Sequence, residues 1–406
     1  MHEVDDTVQA DKEILPGIRK NVLVLGLVSL FNDISSEMLY PLVPIFLTAV
    51  LGAPVAIVGL IEGIAEATAS LTKAVSGWLS DRFDRRRPLV ALGYGLSAIA
   101  KPLLGASTGW PMVMGLRFGD RLGKGIRTAA RDALIADSAE EKYRGRAFGF
   151  HRALDSVGAV AGPLLALVFL GVLGDNLRLV FFLAFIPAVM GLLLLLLVRE
   201  RRRVRPSGAA PALNLRLGMF DRRFQLFILA IGVFSLGNSS DAFLILRARD
   251  LFGESTFLAV LAYAFYNVVY SLASTPAGIL SDRIDRRWVL GGGLVIFALV
   301  YTGFAIDVHP IATWVLFAVY GLYIAMTDGV GKALCVDLVP ADLRGTALGS
   351  YATIVGILTF PASFAGGLLW SYISPSATFA FGAIMALLAA ALLAFLPLSA
   401  RQAQKS

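Results

Sequence analysis

Long apolar segments alternate with short polar connections along almost the whole chain. A helix needs about 20 apolar residues to cross the hydrocarbon core of a bilayer, and segments of this kind recur through both halves of the sequence. They open near Val22, Val55, Leu89, Trp110, Ala147, Leu179, Phe224, Phe257, Val289, Ala312, Ala347 and Ala377. The pattern predicts an all-α membrane protein with twelve transmembrane helices.

The connections between these segments alternate in charge. Arginine and lysine are concentrated at Asp81–Arg87, Glu140–Arg146, Arg199–Arg223 and Ser281–Arg287, and are absent from Leu51–Pro54, Gly105–Gly109 and Gly174–Asn176. Because positive loops stay in the cytoplasm, both termini are predicted to be cytoplasmic. Arg178, Arg247 and Arg249 fall on the opposite side. Arg247 and Arg249 have two possible interpretations: they lie at the mouth of a cavity, or they contact lipid headgroups.

The two halves of the sequence repeat each other. Gly77–Arg86 returns as Gly278–Arg287, and Ala133–Gly149 returns as Ala333–Gly349. A duplicated membrane protein with charges at mid-span usually holds its substrate between the halves. The predicted domains are a cytoplasmic tail (1–21), a six-helix bundle (22–198), a cytoplasmic linker (199–222), a second six-helix bundle (223–397) and a cytoplasmic tail (398–406).

Composition narrows the function further. The chain is 57% hydrophobic and 16% charged, far from a soluble domain, and its net charge of +7 resides mainly in the loops. Nucleic-acid binding is therefore not expected. The single cysteine, Cys335, excludes an internal disulfide and a cysteine-based zinc site. No phosphate-binding loop or hydrolase motif is present, so we expect no cofactor, no metal site, no enzyme activity, and an ion gradient as the energy source.

Motifs at three places resemble the major facilitator superfamily, and the resemblance covers essentially the whole chain. The first motif, G-x3-D-R-x-x-R-R, follows the second predicted span and has a second copy in the other half. Its residues are Gly77, Asp81, Arg82, Arg85 and Arg86, with Gly278, Asp282, Arg283 and Arg286 in the second copy. An aspartate and arginines at a helix end can form a conformational latch. The alternative is a basic loop that only sets topology.

The other two motifs resemble those of drug/proton antiporters in the same superfamily. Arg121 to Gly125 is similar to R-x-x-Q-G, which the family associates with proton coupling, but Lys124 replaces the glutamine. The fifth span fits G-x8-G-x3-G-P, which the family associates with exporters that exchange substrate for protons. Its positions are Gly149, Gly158, Gly162 and Pro163. The alternative for this motif is a helix-packing face without a transport role.

Many ionisable residues fall inside predicted spans, where each is a functional candidate because burial of a charge is costly. The candidates for proton coupling or the substrate cavity are Asp33, Glu37, Glu62, Glu66, Arg117, Asp120, Arg121, Lys124, Asp241, Asp328 and Lys332. We expect Asp33 to approach Arg121 and to exchange ion pairing during transport. The alternative is a static pair that holds helices together. His151 is a weaker candidate for a proton relay.

The sequence is compatible with either an anionic or a cationic substrate. The cations of the fourth span, with Lys101, suit a carboxylate or phosphate, whereas the acids of the first two spans suit a cation. Tyr263, Phe265, Tyr266 and Tyr270 in the eighth span, together with Asn267, either contact a substrate or only pack.

Taken together, the resemblance implies a proton-coupled exporter of a small organic solute that works by alternating access as a functional monomer in a bacterial inner membrane. An importer or facilitator of an organic anion or nutrient is the alternative, and a membrane receptor or enzyme on the same scaffold is a more remote one. The expected partners are the solute, protons and the lipid bilayer.

Overall fold

The computed structural model describes residues 13–15, 18–80, 86–200, 220–306 and 308–396, and within these ranges the protein is almost entirely helical. In the first half the α-helices are α1 (Lys20–Leu39), α2 (Leu42–Ile45), α3 (Val55–Ser80), α4 (Arg87–Gly105), α5 (Trp110–Ser138), α6 (Arg144–Leu173), α7 (Leu177–Leu183) and α8 (Phe185–Leu194). In the second half they are α9 (Arg222–Gly237), α10 (Ala242–Leu251), α11 (Thr256–Arg283), α12 (Arg286–Ala305), α13 (Pro310–Asp337), α14 (Arg344–Tyr372) and α15 (Pro375–Ala394).

Each of the twelve predicted segments opens within one turn of a helix start. By length and hydropathy, ten helices of the described residues can cross a membrane, or eleven when α9 and α10, which are bent by 41°, count as one span. Helix α5 does not pass this test because charged residues recur along it from Arg117 to Arg131. Twelve spans and cytoplasmic termini remain predictions.

Short segments extend or interrupt the long helices. After α2 the backbone continues as one π-helical stretch, Phe46–Val50, and Pro41 separates α2 from α1 because it has no N–H to donate. Turns of 3₁₀ helix lie at Glu141–Tyr143, Leu195–Leu197 and Ala341–Leu343. The first predicted span is therefore a broken helix.

A small hairpin departs from the all-helical expectation. Strands β1 (Glu13–Leu15) and β2 (Ile18–Arg19) pair antiparallel within the predicted N-terminal tail. Arg19 Nη2 donates to Glu140 Oε1 at 2.8 Å, and this hydrogen bond lowers the pKa of Glu140 below its ordinary value. The hairpin is thereby tied to the connection that follows α5.

The chain forms two compact units that do not follow the sequence halves. The first comprises Met1–Leu39, Thr72–Ser107 and Gly119–Ala210, and the second comprises Tyr40–Leu71, Thr108–Phe118 and Pro211–Ser406. The second unit includes the start of α3 because that helix packs closely along α14. The two six-helix bundles inferred from the repeat remain a prediction.

Two of the three arginines that depart from the positive-inside pattern cap helices. Arg178 Nη1 donates to the carbonyls of Gly105 and Ser107 at the end of α4, at 2.8 and 2.6 Å. Arg247, 7% exposed, donates to the carbonyls of Phe304 and Ile306 at the end of α12. A cation at a helix C-terminus satisfies carbonyls left without partners. Arg247 therefore neither rims a cavity nor reaches headgroups, and Arg249 pairs with Glu254 at 2.6 Å.

Candidate functional site

The second unit contains a buried ion pair between α3 and α5. Arg117 Nη2 lies 2.6 and 2.7 Å from the two carboxylate oxygens of Glu62, and Arg117 Nε lies 3.1 Å from Oε1. Glu62 is 1% exposed and Arg117 is 4% exposed. Each charge depends on the other because neither can reach water. Both residues were predicted as cavity candidates from the sequence, but their pairing with each other was not.

A series of tyrosines begins beside this pair. The guanidinium carbon of Arg117 lies 6.0 Å from the ring centroid of Tyr40. The ring of Tyr40 lies 5.5 Å from that of Tyr263 on α11, which is 5.0 Å from Tyr266 in an edge-to-face arrangement. Tyr266 is in turn 5.4 Å from Tyr320 on α13, again edge to face. We call these four residues the tyrosine cluster.

Asp241 lies at the end of the tyrosine cluster. Tyr320 donates a hydrogen bond of 2.6 Å to Asp241 Oδ1, and Tyr266 donates one of 3.0 Å to Oδ2. Asp241 occupies the N-cap of α10, yet its side chain makes no capping hydrogen bond. The carboxylate is directed to the tyrosines instead. Glu62 and Glu66 on α3 both interact electrostatically with it.

The remaining predicted cavity residues of the second half stand apart from this cluster. Lys332 Nζ and Asp328 Oδ1 are 2.6 Å apart on consecutive turns of α13, and both side chains are well exposed. Tyr270 donates to Asp328 at 3.4 Å. Of the other predicted aromatic residues, Phe265 is exposed and packs against Trp314.

The charged groups of the first unit gather around α4 and α5. A carboxylate beside Arg121 is that of the adjacent Asp120, with 3.9 Å between Nε and Oδ2. The approach of Asp33 to Arg121 remains a prediction. Arg127 donates to Ser97 on α4 at 2.7 Å, and Lys124 is exposed. The sequence could not rank these partners because five cationic residues share helix α5.

Asp33 lies where helices α1 and α6 cross. A Cβ atom on Gly158 would meet the Cβ of Asp33 at 2.9 Å, and one on Gly162 would meet the Cβ of Glu37 at 2.7 Å. Pro163 lies inside α6 directly after this contact. Gly149, the first position of the same motif, has nothing within 4 Å of its Cβ position. The two glycines thus place the backbone of α6 directly against the acid-bearing turns of α1.

We expect substitution of Gly162 and substitution of Gly149 to have very different effects on stability. Gly162→Leu would drive a side chain into α1, and overpacking of this kind costs about 1–3 kcal/mol. Gly149→Leu would add a side chain to open space at no such cost. Thermal unfolding of the two purified variants should show a clear loss for Gly162→Leu alone. Equal losses would mean that the motif acts through something other than this packing.

Part of the predicted latch can be located in each half. Arg86 Nη1 lies 2.8 Å from Asp137 Oδ2, and Arg286 Nη1 lies 2.6 Å from Asp337 Oδ2 and 2.8 Å, through Nη2, from Asp282 Oδ1. These pairs connect the start of one helix with the end of the next within the same half. Gly77 lies in α3, Arg283 ends α11, and Asp81, Arg82 and Arg85 lie outside the described residues. Among the described residues, nothing lies within 4 Å of the Cβ position of Gly278.

The structure also corrects the register of the repeat. Arg87 donates to the carbonyl of Leu196, and Arg287 donates to that of Leu396. Equivalent positions in this region therefore lie 200 residues apart, whereas the sequence match pairs Arg86 with Arg287. After the matched aspartate the first half has three consecutive arginines and the second half has two, and this difference of one residue shifts the alignment.

Two members of the tyrosine cluster were missed from the sequence. Tyr40 closes the first span, and Tyr320 is one of several aromatic residues of α13. Nothing in their local pattern separates them from packing residues. In contrast, a charge inside a predicted span was a usable signal for Glu62 and Arg117, because ionisable residues are rare in spans.

Comparison with known proteins assigns the family. The chain matches the Major Facilitator Superfamily over residues 25–270 and 229–406. It is 36% identical to an uncharacterised MFS-type transporter of Methanocaldococcus jannaschii, over 97% of this chain and 98% of that protein. It is 26% identical to the cis,cis-muconate transport protein of Acinetobacter baylyi (67% and 68% covered) and 27% identical to a class G tetracycline resistance protein of Vibrio anguillarum (71% and 75%).

The fold agrees with this assignment. The structure superposes on that of the nucleoside transporter NupG with a TM-score of 0.77 at 13% identity, covering 94% of this chain and 100% of the other. At such low identity the likeness concerns the fold alone. Sequence and fold lead to the same family, and the chain belongs to the Major Facilitator Superfamily of membrane transporters.

Proposed function

We propose that this transporter is a proton-coupled exporter of a small organic solute and that it works by alternating access. The observation that carries the proposal is the contact of Gly158 and Gly162 with the turns of α1 that bear Asp33 and Glu37. A membrane carboxylate at a helix crossing changes its surroundings whenever the two helices shift. Its proton affinity then differs between conformations, as proton coupling requires.

The charges around Asp33 support the same proposal. Asp155, Arg131 and Arg127 are the charged groups that act most strongly on it. Because one of them repels and two attract the carboxylate, small helix movements change the balance between its ionised and protonated forms. His151 Nδ1, 3.5 Å from Asp155, belongs to the same neighbourhood.

A contact along the second unit suggests how one side of the pathway closes. Helices α3 and α14 meet along what we call the α3–α14 seam, which runs from Ala56 and Ser371 to Ser70 and Gly356. These helices come from different sequence halves. We propose that this seam closes the end of the pathway formed by connections 51–54 and 373–374 and opens when the transporter changes state.

Proton flux in proteoliposomes tests the proposal. With an imposed pH gradient and a pH-sensitive dye in the lumen, one of tetracycline, cis,cis-muconate or an organic cation should move protons through the wild type. Asp33→Asn should reduce this flux at least tenfold. Asp175→Asn is the matched control, because Asp175 lies in a loop at φ +59, where asparagine is well tolerated.

Uptake or facilitated diffusion of an organic anion is the second candidate. Lys101 on α4 is 2% exposed, and its Nζ has no hydrogen-bond partner among the described residues. A bare buried ammonium favours an anionic partner, and one relative is a muconate transport protein. Movement of muconate down its own gradient, unaffected by pH and by Asp33→Asn, would replace the exporter proposal with this one.

A further inference from the structure

The break between α9 and α10 places a carboxylate in the interior of the second unit. Helix α9 ends at Gly237, α10 begins at Ala242, and the two are bent by 41°. Interrupted helices in membranes are tolerated where they are buried in protein or line a cavity, and transporters use such breaks to hold substrates and ions. Asp241 is the last residue of this break.

Two tyrosine hydroxyls contact that carboxylate, and the rings of further tyrosines continue from them. Tyr266 and Tyr320 both donate to it, and their rings meet edge to face. Tyr263 and Tyr40 extend the aromatic surface toward α3 and α5. A tyrosine ring presents negative charge on its face, so a cation beside several rings is stabilised.

Acidic side chains outnumber basic ones around Asp241. Glu62 and Glu66 both act on it through space, and Arg117 is paired closely with Glu62. Among these four ionisable side chains, three are acidic. An anionic ligand at this position would meet repulsion, whereas a cation would relieve the repulsion between the carboxylates.

We propose that Asp241 and the tyrosine cluster form the binding site for an organic cation, a protonated amine or onium group on an apolar body. Asp241 is its counter-ion, Tyr266 and Tyr320 hold the carboxylate in position, and the tyrosine rings face the ligand. This substrate class rests on the proposed function, because it takes the transported solute to be the ligand. A purely structural role for the tyrosines would satisfy Asp241 but would give no preference for cations.

Equilibrium binding to the purified full-length protein tests the site. Tetraphenylphosphonium and ethidium are the cationic probes, and cis,cis-muconate is the anionic one. We expect at least one cation to bind the wild type, Asp241→Asn to weaken that binding at least tenfold, and Asp241→Glu to restore part of it. Tyr266→Phe keeps the ring and should retain binding within a few-fold, whereas Tyr266→Leu should weaken it roughly tenfold.

Asp221→Asn is the matched control. Asp221 caps α9 from outside this site, asparagine caps a helix as well as aspartate does, and the variant should bind cations as the wild type does. Failure of both cations to bind, or unchanged binding in Asp241→Asn, would overturn the proposal. If that happens while proton flux with another solute still depends on Asp33, proton coupling stands and the cation assignment falls. Cation binding without any proton flux would support the proposed binding site and contradict proton coupling.

Discussion

Replacing Arg117 with methionine is expected to destabilise the protein by about 3–5 kcal/mol, because it leaves Glu62 as an uncompensated charge in the interior. Glu62 is 1% exposed and accepts three close contacts from this arginine. The thermal unfolding midpoint of the purified protein in a mild detergent should fall clearly. Glu62→Leu should also lower the midpoint, since it removes the carboxylate that accepts these three hydrogen bonds from Arg117.

The double variant Glu62→Leu, Arg117→Met separates stability from transport. Replacement of a buried pair by apolar side chains of similar size is often neutral or stabilising, so the double variant should unfold within about 1 kcal/mol of the wild type. If it is stable but does not transport, the pair takes part in the transport cycle. Unfolding of either single variant at the wild-type temperature would contradict the pairing itself.

Leucine at Gly59 or Gly63 is expected to prevent closure of the α3–α14 seam. A Cβ on Gly63 would meet the carbonyl oxygen of Phe360 at 2.9 Å, and one on Gly59 would meet that of Ser363 still more closely. Backbone atoms cannot move aside as a flexible side chain can. Overpacking by about 1–3 kcal/mol would reduce the population of the closed state by roughly 5- to 150-fold.

Cysteine accessibility measures this shift directly. Cys335 is the only cysteine and is buried, so Cys335→Ala gives a cysteine-free background. A new cysteine at Ala56, at the end of the seam, should react with a polar maleimide much faster in the Gly63→Leu protein. Gly171→Leu is the control, because its Cβ position has nothing within 4 Å. Unchanged labelling together with intact transport would show that the seam does not open and close during transport.

The helical segments were predictable because they depend on local composition. Most apolar runs are long enough to cross a bilayer by themselves, and each predicted segment opens within a turn of a helix start. Helix α5 is an exception. Its charges make it too polar to pass as a span by hydropathy, so its status as a span remains a prediction.

The candidate site was only partly predictable. Glu62, Arg117 and Asp241 stood out because ionisable groups are rare within spans. Their partners did not, since Glu62 and Arg117 are 55 positions apart and Tyr320 resembles any aromatic packing residue. Asp33 illustrates the same limit. By sequence alone, several cations of α5 were equally good partners for it. The crossing of α1 and α6 decides which groups lie near Asp33.

The sequence by itself determined the class of protein, the repeat, the helical segments and the charged residues within them, because each of these follows from composition, spacing or motif along the chain. The tertiary structure alone decided which charges pair, which glycines form contacts, and why Arg178 and Arg247 lie where they do. Gly162 and Gly149 belong to one motif, yet only Gly162 meets another helix. The physical reason is that pairing and packing depend on how helices cross, and crossing is set by distant segments.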